Sequence, residues 1–168
     1  YYYIDDISVK LTTPEAICSC QATKKEAEAY STLIYQKIAN LNEDMSAKDK
    51  IEAQKLYFGA GSSNLTIEAK KSLDLIITQL KSNSDFRLEI KGHNDAKESE
   101  LAPTQKMYKE IANKRIHSVL TYLKSNGIDE TRLISTSEGN MSPNSEVYES
   151  DDEELKFAKN RRVNFKVR

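Results

Sequence analysis

The 168-residue chain is poor in the residues that most often carry chemistry: it has no tryptophan, two cysteines and two histidines. Cys18 and Cys20 are one residue apart, so a disulfide between them would be strained, and two thiols without a nearby histidine make a poor zinc site. Neither His93 nor His117 has metal-ligand spacing with a partner, and no serine or cysteine stands in a nucleophile motif. We therefore expect no metal, no cofactor and no catalysis.

An excess of charge of one sign is also lacking. The 25 lysines and arginines nearly cancel the 26 aspartates and glutamates, leaving a formal net charge of −1. A nucleic-acid-binding protein would show a basic stripe, so we expect no nucleic-acid partner. Long apolar runs are missing as well, since about 18 consecutive apolar residues would be needed to cross a bilayer. The first residue is not methionine and no signal-peptide core follows, so we expect a fragment or a processed product.

The chain divides, by its pattern, into an N-terminal extension over residues 1–50 and a compact domain over residues 51–168. Residues 1–11 alternate as a strand does, and this opening resembles the last strand of jelly-roll modules in bacterial surface proteins, which would make it the stump of an upstream domain. An added edge strand or a tag remnant is the alternative explanation. The rest of the extension predicts a helix over 24–41 and a polar linker or frayed helix over 42–50.

The compact domain alternates strand and helix patterns. Apolar Phe86, Leu88 and Ile90 alternate with charged residues, which indicates a sheet with only one covered face. The order strand, helix, strand, helix, strand, strand (βαβαββ) predicts an α/β (α+β) sandwich, a mixed β-sheet with helices packed on one face. The predicted strands cover 55–58, 86–91, 132–137 and 162–167, and the helices cover 66–83 and 104–124, with one or two helical turns at 153–160.

Arg115 stands out in the second of these helices because it falls inside the apolar sector that faces the core. A buried guanidinium needs a carboxylate or carbonyl partner. Asp95 follows the strand at 86–91, so Asp95 and Arg115 suggest a pair of opposite charges at one edge of the domain, which suits a zwitterionic ligand. Two alternatives stay open: Asp95 satisfied by local backbone amides at a helix start or turn, and Arg115 in a structural salt bridge.

Three short motifs carry a resemblance over residues 51–168. They are Gly92-His93-Asn94-Asp95, the helix segment Ile111-Ala112-Asn113-Lys114-Arg115-Ile116, and Asn160-Arg161-Arg162-Val163. In this order and context they resemble the OmpA-like C-terminal domain, which binds peptidoglycan and occurs in OmpA, Pal and MotB-type proteins.

The resemblance implies that Asp95 takes the ammonium and Arg115 the carboxylate of diaminopimelate in the peptide stem of peptidoglycan. A forked guanidinium suits a carboxylate better than a lysine does. Strand parity directs Arg161 toward the helices and Arg162 toward the open face, so Arg161 ranks above Arg162 as a ligand contact. A purely structural role is the alternative for both.

Two further residues complete the predicted ligand-binding set. Asn160 caps or holds the loop backbone, and Tyr108 stands where the family often has an asparagine, at the pocket rim. The segment between Asp95 and Arg115 is longer than usual and carries Lys97, Glu98, Glu100 and Pro103, which alters the rim.

The expected function is non-covalent binding of the peptidoglycan stem peptide, anchoring an outer-membrane or surface assembly to the cell wall in the periplasm of a Gram-negative bacterium. The alternative is a protein-interaction scaffold that has kept the OmpA-like fold and lost its ligand.

Overall fold

The computed structural model describes residues 19–40 and 44–168, with side chains from 24–38 and 44–168. The strand predicted at residues 1–11 and both cysteine side chains lie outside these residues. Within the described residues, four strands form one mixed sheet in the order β1-β4-β2-β3. β4 is antiparallel to both β1 and β2, and β2 is parallel to β3. The strands are β1 (Lys55–Tyr57), β2 (Leu88–His93), β3 (Leu133–Gly139) and β4 (Arg162–Val167).

The described residues form six α-helices: α1 (Ser19–Asn40), α2 (Ala47–Glu52), α3 (Ile67–Ser82), α4 (Ala96–Leu101), α5 (Ile111–Ser125) and α6 (Glu153–Asn160). The apolar faces of α3 and α5 pack on the sheet and enclose one core. Thr66 caps α3, as its position predicts, because its hydroxyl accepts from the Ala69 amide at 3.1 Å. The predicted mixed sheet, its helices and the βαβαββ order are confirmed.

The described part of the N-terminal extension packs against the compact domain. α1 packs against β1, α3 and α6, and the rings of Tyr30 and Tyr57 lie 5.4 Å apart. The predicted linker ends in α2, which starts at Ala47 and buries Ile51 in the core. The domain boundary at residue 50 stays a prediction, but α1 packs against the folded domain beside β1.

The helix predicted over 104–124 begins later, and a second helix precedes it. α5 starts at Ile111, after Glu110 in the left-handed region at φ 56°. α4 starts directly after Asp95, and Pro103 stands in the turns that join the two helices. The prediction missed α4 because its sequence, Ala-Lys-Glu-Ser-Glu-Leu, has no apolar stripe.

Gly92 lets α5 approach β2 closely. A Cβ at this position would lie 2.7 Å from the carbonyl oxygen of Ala112 and 2.7 Å from Cγ1 of Ile116. Both distances are below van der Waals contact, so only glycine fits. This close approach brings Arg115, one turn after Ile111 on α5, up to the end of β2.

Candidate functional site

Arg115 is enclosed at the end of β2 and is 0% exposed. Each of its five guanidinium N–H groups has an acceptor. Nε donates to the carbonyl of Ser62 at 3.0 Å, and the two Nη groups donate to the carbonyls of His93 at 3.0 Å and Gly59 at 3.1 Å. The remaining two N–H groups donate to the Glu98 carboxylate at 2.8 and 2.7 Å. The predicted need of Arg115 for a partner is therefore met within the fold.

Glu98 is the matching acceptor. Its Oε1 accepts from Arg115 Nη2 and from the Gly61 amide at 2.8 Å. Its Oε2 accepts from Arg115 Nη1 and from the Asp95 amide at 3.4 Å. Each carboxylate oxygen thus receives one guanidinium and one backbone N–H, the arrangement that gives strong, oriented carboxylate recognition. Gly61 presents its amide from the left-handed region, at φ +61°, which favours glycine.

Asp95 pairs with Arg161 rather than with Arg115. Its Oδ1 caps α4 by accepting from the Glu98 amide at 2.6 Å. Its Oδ2 lies 3.0 Å from Nη1 of Arg161, an ion pair that lacks hydrogen-bond geometry. Asp95 and Arg161 are each 1% exposed. Among the described residues, the hydrogen bonds link Asp95 to Arg115 through Glu98.

Arg161 retains unused donors. Its Nε and Nη2 are buried and find no hydrogen-bond partner in the described part of the chain. Buried donors without acceptors are uncommon, because each costs about 1–3 kcal/mol. Arg161 therefore has two free N–H donor groups, at Nε and Nη2, that a further carboxylate could accept from.

Burial sets the electrostatics of this group, which holds two carboxylates and two guanidiniums. Burial raises the pKa of the Asp95 carboxyl, and the neighbouring Glu98 carboxylate raises it further. The Glu98 amide and the guanidiniums of Arg161 and Arg115 lower it in part. Burial likewise lowers the pKa of Arg161, while Asp95 and Glu98 oppose that change. We call Asp95, Glu98, Arg115 and Arg161 the charge cluster.

The first described side chains of α1 cover this end of the domain. Cβ of Lys24 lies 3.4 Å from the position that a Cβ on Gly59 would take. Burial raises the pKa of the Glu26 carboxyl and Asp152 adds to this, whereas the positive charge of Arg161 lowers it. α1 therefore adds Glu26 to the carboxylates within the field of Arg161, which also include Glu154.

The other predicted residues surround the charge cluster or lie apart from it. Tyr108 is half-buried, and its ring lies 3.2 Å from the position of a Cβ on Gly61, beside the loop that Arg115 holds. Oδ1 of Asn160 accepts from the Asn144 amide at 2.8 Å, which fits the predicted loop-holding role in geometry.

Arg162 faces the side of the sheet opposite to Arg161, as its parity predicts, but it is not open there. Its Nη2 donates to the Ser142 carbonyl at 2.9 Å, because the loop after β3 folds over it. Beside it, His93 is 2% exposed, and neither ring nitrogen has a partner among the described residues.

The structure thus brings Asp95, Arg115 and Arg161 together and leaves Arg162 on the far face. Sequence reasoning missed Glu98 as a member of the cluster. The signal for it was present, because Asp95 and Glu98 have the three-residue spacing of a capping box, and both reciprocal hydrogen bonds form.

An enclosed charge cluster at one edge of a mixed α/β sandwich defines a small binding or structural domain. Residues 57–161 match the model of the OmpA family, and the chain belongs to that family. Comparison with curated proteins finds no match. No helix in the described residues is long and apolar enough to cross a membrane.

Solved structures share the fold. The peptidoglycan-associated lipoprotein from Burkholderia pseudomallei is 23% identical, with a TM-score of 0.58 over 76% of this chain and 98% of that one. The OmpA-like domain of FopA1 from Francisella tularensis is 19% identical, with a TM-score of 0.54 over 68% and 72%. The cell wall anchor of the type VI secretion system from Pseudomonas aeruginosa is 19% identical, with a TM-score of 0.52 over 67% and 78%.

Proposed function

We propose that this chain binds the peptide stem of peptidoglycan non-covalently and anchors an outer-membrane or surface assembly to the cell wall in the periplasm. Membership of the OmpA family supports this proposal, as do two structural neighbours, a peptidoglycan-associated lipoprotein and a cell wall anchor. The observation that carries it is the charge cluster, which holds acidic and basic groups together at one edge of the sheet.

The proposed ligand group is diaminopimelate, which carries an ammonium and a carboxylate on one carbon. Asp95 would take the ammonium and Arg161 the carboxylate, and Arg115 would share the carboxylate when Glu98 has left its guanidinium. The unbonded donors of Arg161 favour it for this contact. Tyr108 would form part of the rim, and Asn160 and Arg162 would fix the neighbouring loop.

Co-sedimentation with purified sacculi tests the proposal. Asp95→Asn keeps a capping oxygen but removes the charge, and Arg161→Met keeps length but removes the donors, so each should reduce binding at least about tenfold. Arg87→Met, at an exposed position, is the matched control and should bind as the unaltered chain does. Undiminished binding by both cluster variants, once folding is verified by circular dichroism, would place binding elsewhere.

Arg115→Ala is a poorer probe because it removes five hydrogen bonds and leaves the Glu98 carboxylate buried without its guanidinium, whereas Arg161→Met removes an ion pair that has no hydrogen bond. Removing one partner of a buried ion pair typically costs about 3–5 kcal/mol, so lost binding could reflect lost folding.

The second candidate is a protein-interaction scaffold with the same fold and no ligand. The specific observation in its favour is that Glu98 already fills the guanidinium fork of Arg115. Under this alternative the folded, unaltered chain does not sediment with sacculi at any concentration tested, whereas under the first proposal it does.

A further inference from the structure

The contacts of Glu98 describe a complete carboxylate-binding site. Two guanidinium N–H groups of Arg115 and the amides of Gly61 and Asp95 surround its two oxygens. Three of the four distances lie between 2.7 and 2.8 Å, and the carboxylate is almost wholly enclosed. None of these four donors depends on the rest of the Glu98 side chain, so a carboxylate from another molecule could accept from the same groups.

The helix that carries Glu98 is attached to the domain mainly through its first turn. Its other contacts include a hydrogen bond from Asn94 to Ser99 at 2.6 Å and an exposed ion pair between Lys97 and Glu154 at 3.4 Å. Glu98 is the only buried residue of α4, and α4 has six residues. The segment from Pro103 to Met107 that follows it is exposed. Arg115, by contrast, belongs to the long helix α5, whose apolar face is packed in the core. Arg115 is therefore the member of this ion pair that the core holds in place, and Glu98 is the member that can move away from it.

We infer that Glu98 is an internal competitor for the ligand, occupying the site on Arg115 that the carboxylate of a zwitterionic amino acid would otherwise take. This inference rests on the proposed function and adds a mechanism that regulates ligand affinity at the same site. A ligand carboxylate binds only in the fraction of molecules whose Glu98 has left, so the apparent affinity falls by that fraction. Glu98 thereby sets how tightly this chain holds its ligand.

The first test asks whether the vacated site takes a carboxylate. Glu98→Ala removes the internal carboxylate, and Glu100→Ala, at an exposed position of the same helix, is the matched control. The melting temperature of each variant is measured in sodium acetate and in sodium chloride at equal ionic strength. Acetate should raise the melting temperature of Glu98→Ala above its value in chloride, because acetate restores a partner to Arg115. Glu100→Ala and the unaltered chain should show only a smaller difference, which comes from the general effect of acetate on folding and from the free donors of Arg161. An equal response of all three proteins to acetate overturns the inference.

The second test measures competition directly, by calorimetric titration with meso-diaminopimelate. Glu98→Ala should bind at least about tenfold more tightly than the unaltered chain, because the competing state is removed. Should Glu98→Ala fail to fold, Glu98→Gln serves instead, since a neutral amide retains the packing and weakens the hold on Arg115. Equal affinities of the folded variant and the unaltered chain overturn the inference.

The two proposals fail separately. Sacculus binding that Glu98→Ala does not strengthen leaves the proposed function standing and removes the role of Glu98. Acetate rescue of Glu98→Ala without binding of diaminopimelate or sacculi by any variant leaves a carboxylate site in a domain that does not bind the cell wall.

Discussion

Asp95 and Glu98 fix one another across the first turn of α4. The Glu98 amide donates to the Asp95 carboxylate at 2.6 Å, and the Asp95 amide donates to the Glu98 carboxylate at 3.4 Å. Each carboxylate also faces an arginine, Arg161 for Asp95 and Arg115 for Glu98. The short capping box therefore positions both acidic members of the charge cluster, and a change at either residue affects both ion pairs.

Asp95→Ala should destabilise the fold more than an ordinary loss of a helix cap. It removes the cap of α4 and leaves Arg161 buried without its carboxylate, which together should cost about 3–5 kcal/mol. Urea unfolding provides the measurement. Asp152→Ala is the matched control, because Asp152 caps α6 through the Leu155 amide at an exposed position and should cost only about 1 kcal/mol. Equal losses for the two variants would mean that the Asp95–Arg161 contact adds nothing to stability.

Gly92→Ala should also destabilise the protein, by about 1–3 kcal/mol, because the added methyl group meets the backbone of α5. The nearest atoms are the Ala112 carbonyl oxygen and Cγ1 of Ile116, both at 2.7 Å. Gly59→Ala is the control, since its nearest neighbour is a lysine Cβ at 3.4 Å, within ordinary contact. Urea midpoints of the two variants should differ clearly. Matching midpoints would show that α5 can shift without loss.

Sequence patterns predicted the parts of this fold that depend on repeated apolar contacts. Alternation in β2 and β4 and the apolar sector of α5 are local signals, and the structure forms these elements where the patterns predict them. Burial itself does not alternate along β2, where Glu89 is only 6% exposed. The burial of Arg115 followed from the same sector. α4 was not predictable in this way, because a six-residue helix held by a capping box and one buried carboxylate has no apolar period.

Partners across the fold were harder to predict than burial. Arg115 needed an acceptor, and Asp95 was the nearest reasonable acid in a motif, yet Glu98 takes that position. Asp95 and Glu98 are three residues apart, and the sequence alone does not show which of them reaches Arg115. The answer depends on the direction that the chain takes where α4 begins. Arg162 gives a second example: its face was predicted from parity, but the loop that covers it was not.

His93 should make the fold sensitive to mild acid. Burial lowers the pKa of His93 to about 4 from an ordinary 6.5, and the charge of Arg162 adds to this effect. The unfolded chain then binds more protons than the folded one between these two values, so stability is lost as pH falls from about 6.5 toward 4. Lowering the pH from 7 to 5 should cost about 2 kcal/mol through His93 alone.

Urea unfolding of the unaltered chain and of His93→Gln at both pH values isolates this effect, because other groups titrate alike in both proteins. The pH-dependent loss should shrink by about 2 kcal/mol in His93→Gln. His117→Gln, at an exposed position on α5, should retain the full loss. A loss that is unchanged in His93→Gln would assign the acid sensitivity to other groups.

Salt should weaken binding to sacculi, but only modestly. The charge cluster is enclosed, and buried charges are screened much less than exposed ones. Raising sodium chloride from about 50 to 500 mM should therefore reduce the affinity of the unaltered chain by about two- to fivefold. Co-sedimentation at a series of salt concentrations gives the slope, and Arg87→Met should show the same slope, because the charge it removes lies on the exposed surface. Complete independence of salt would argue against recognition of charge, whereas loss of all binding by about 150 mM would indicate adsorption through surface lysines and arginines instead of the enclosed cluster.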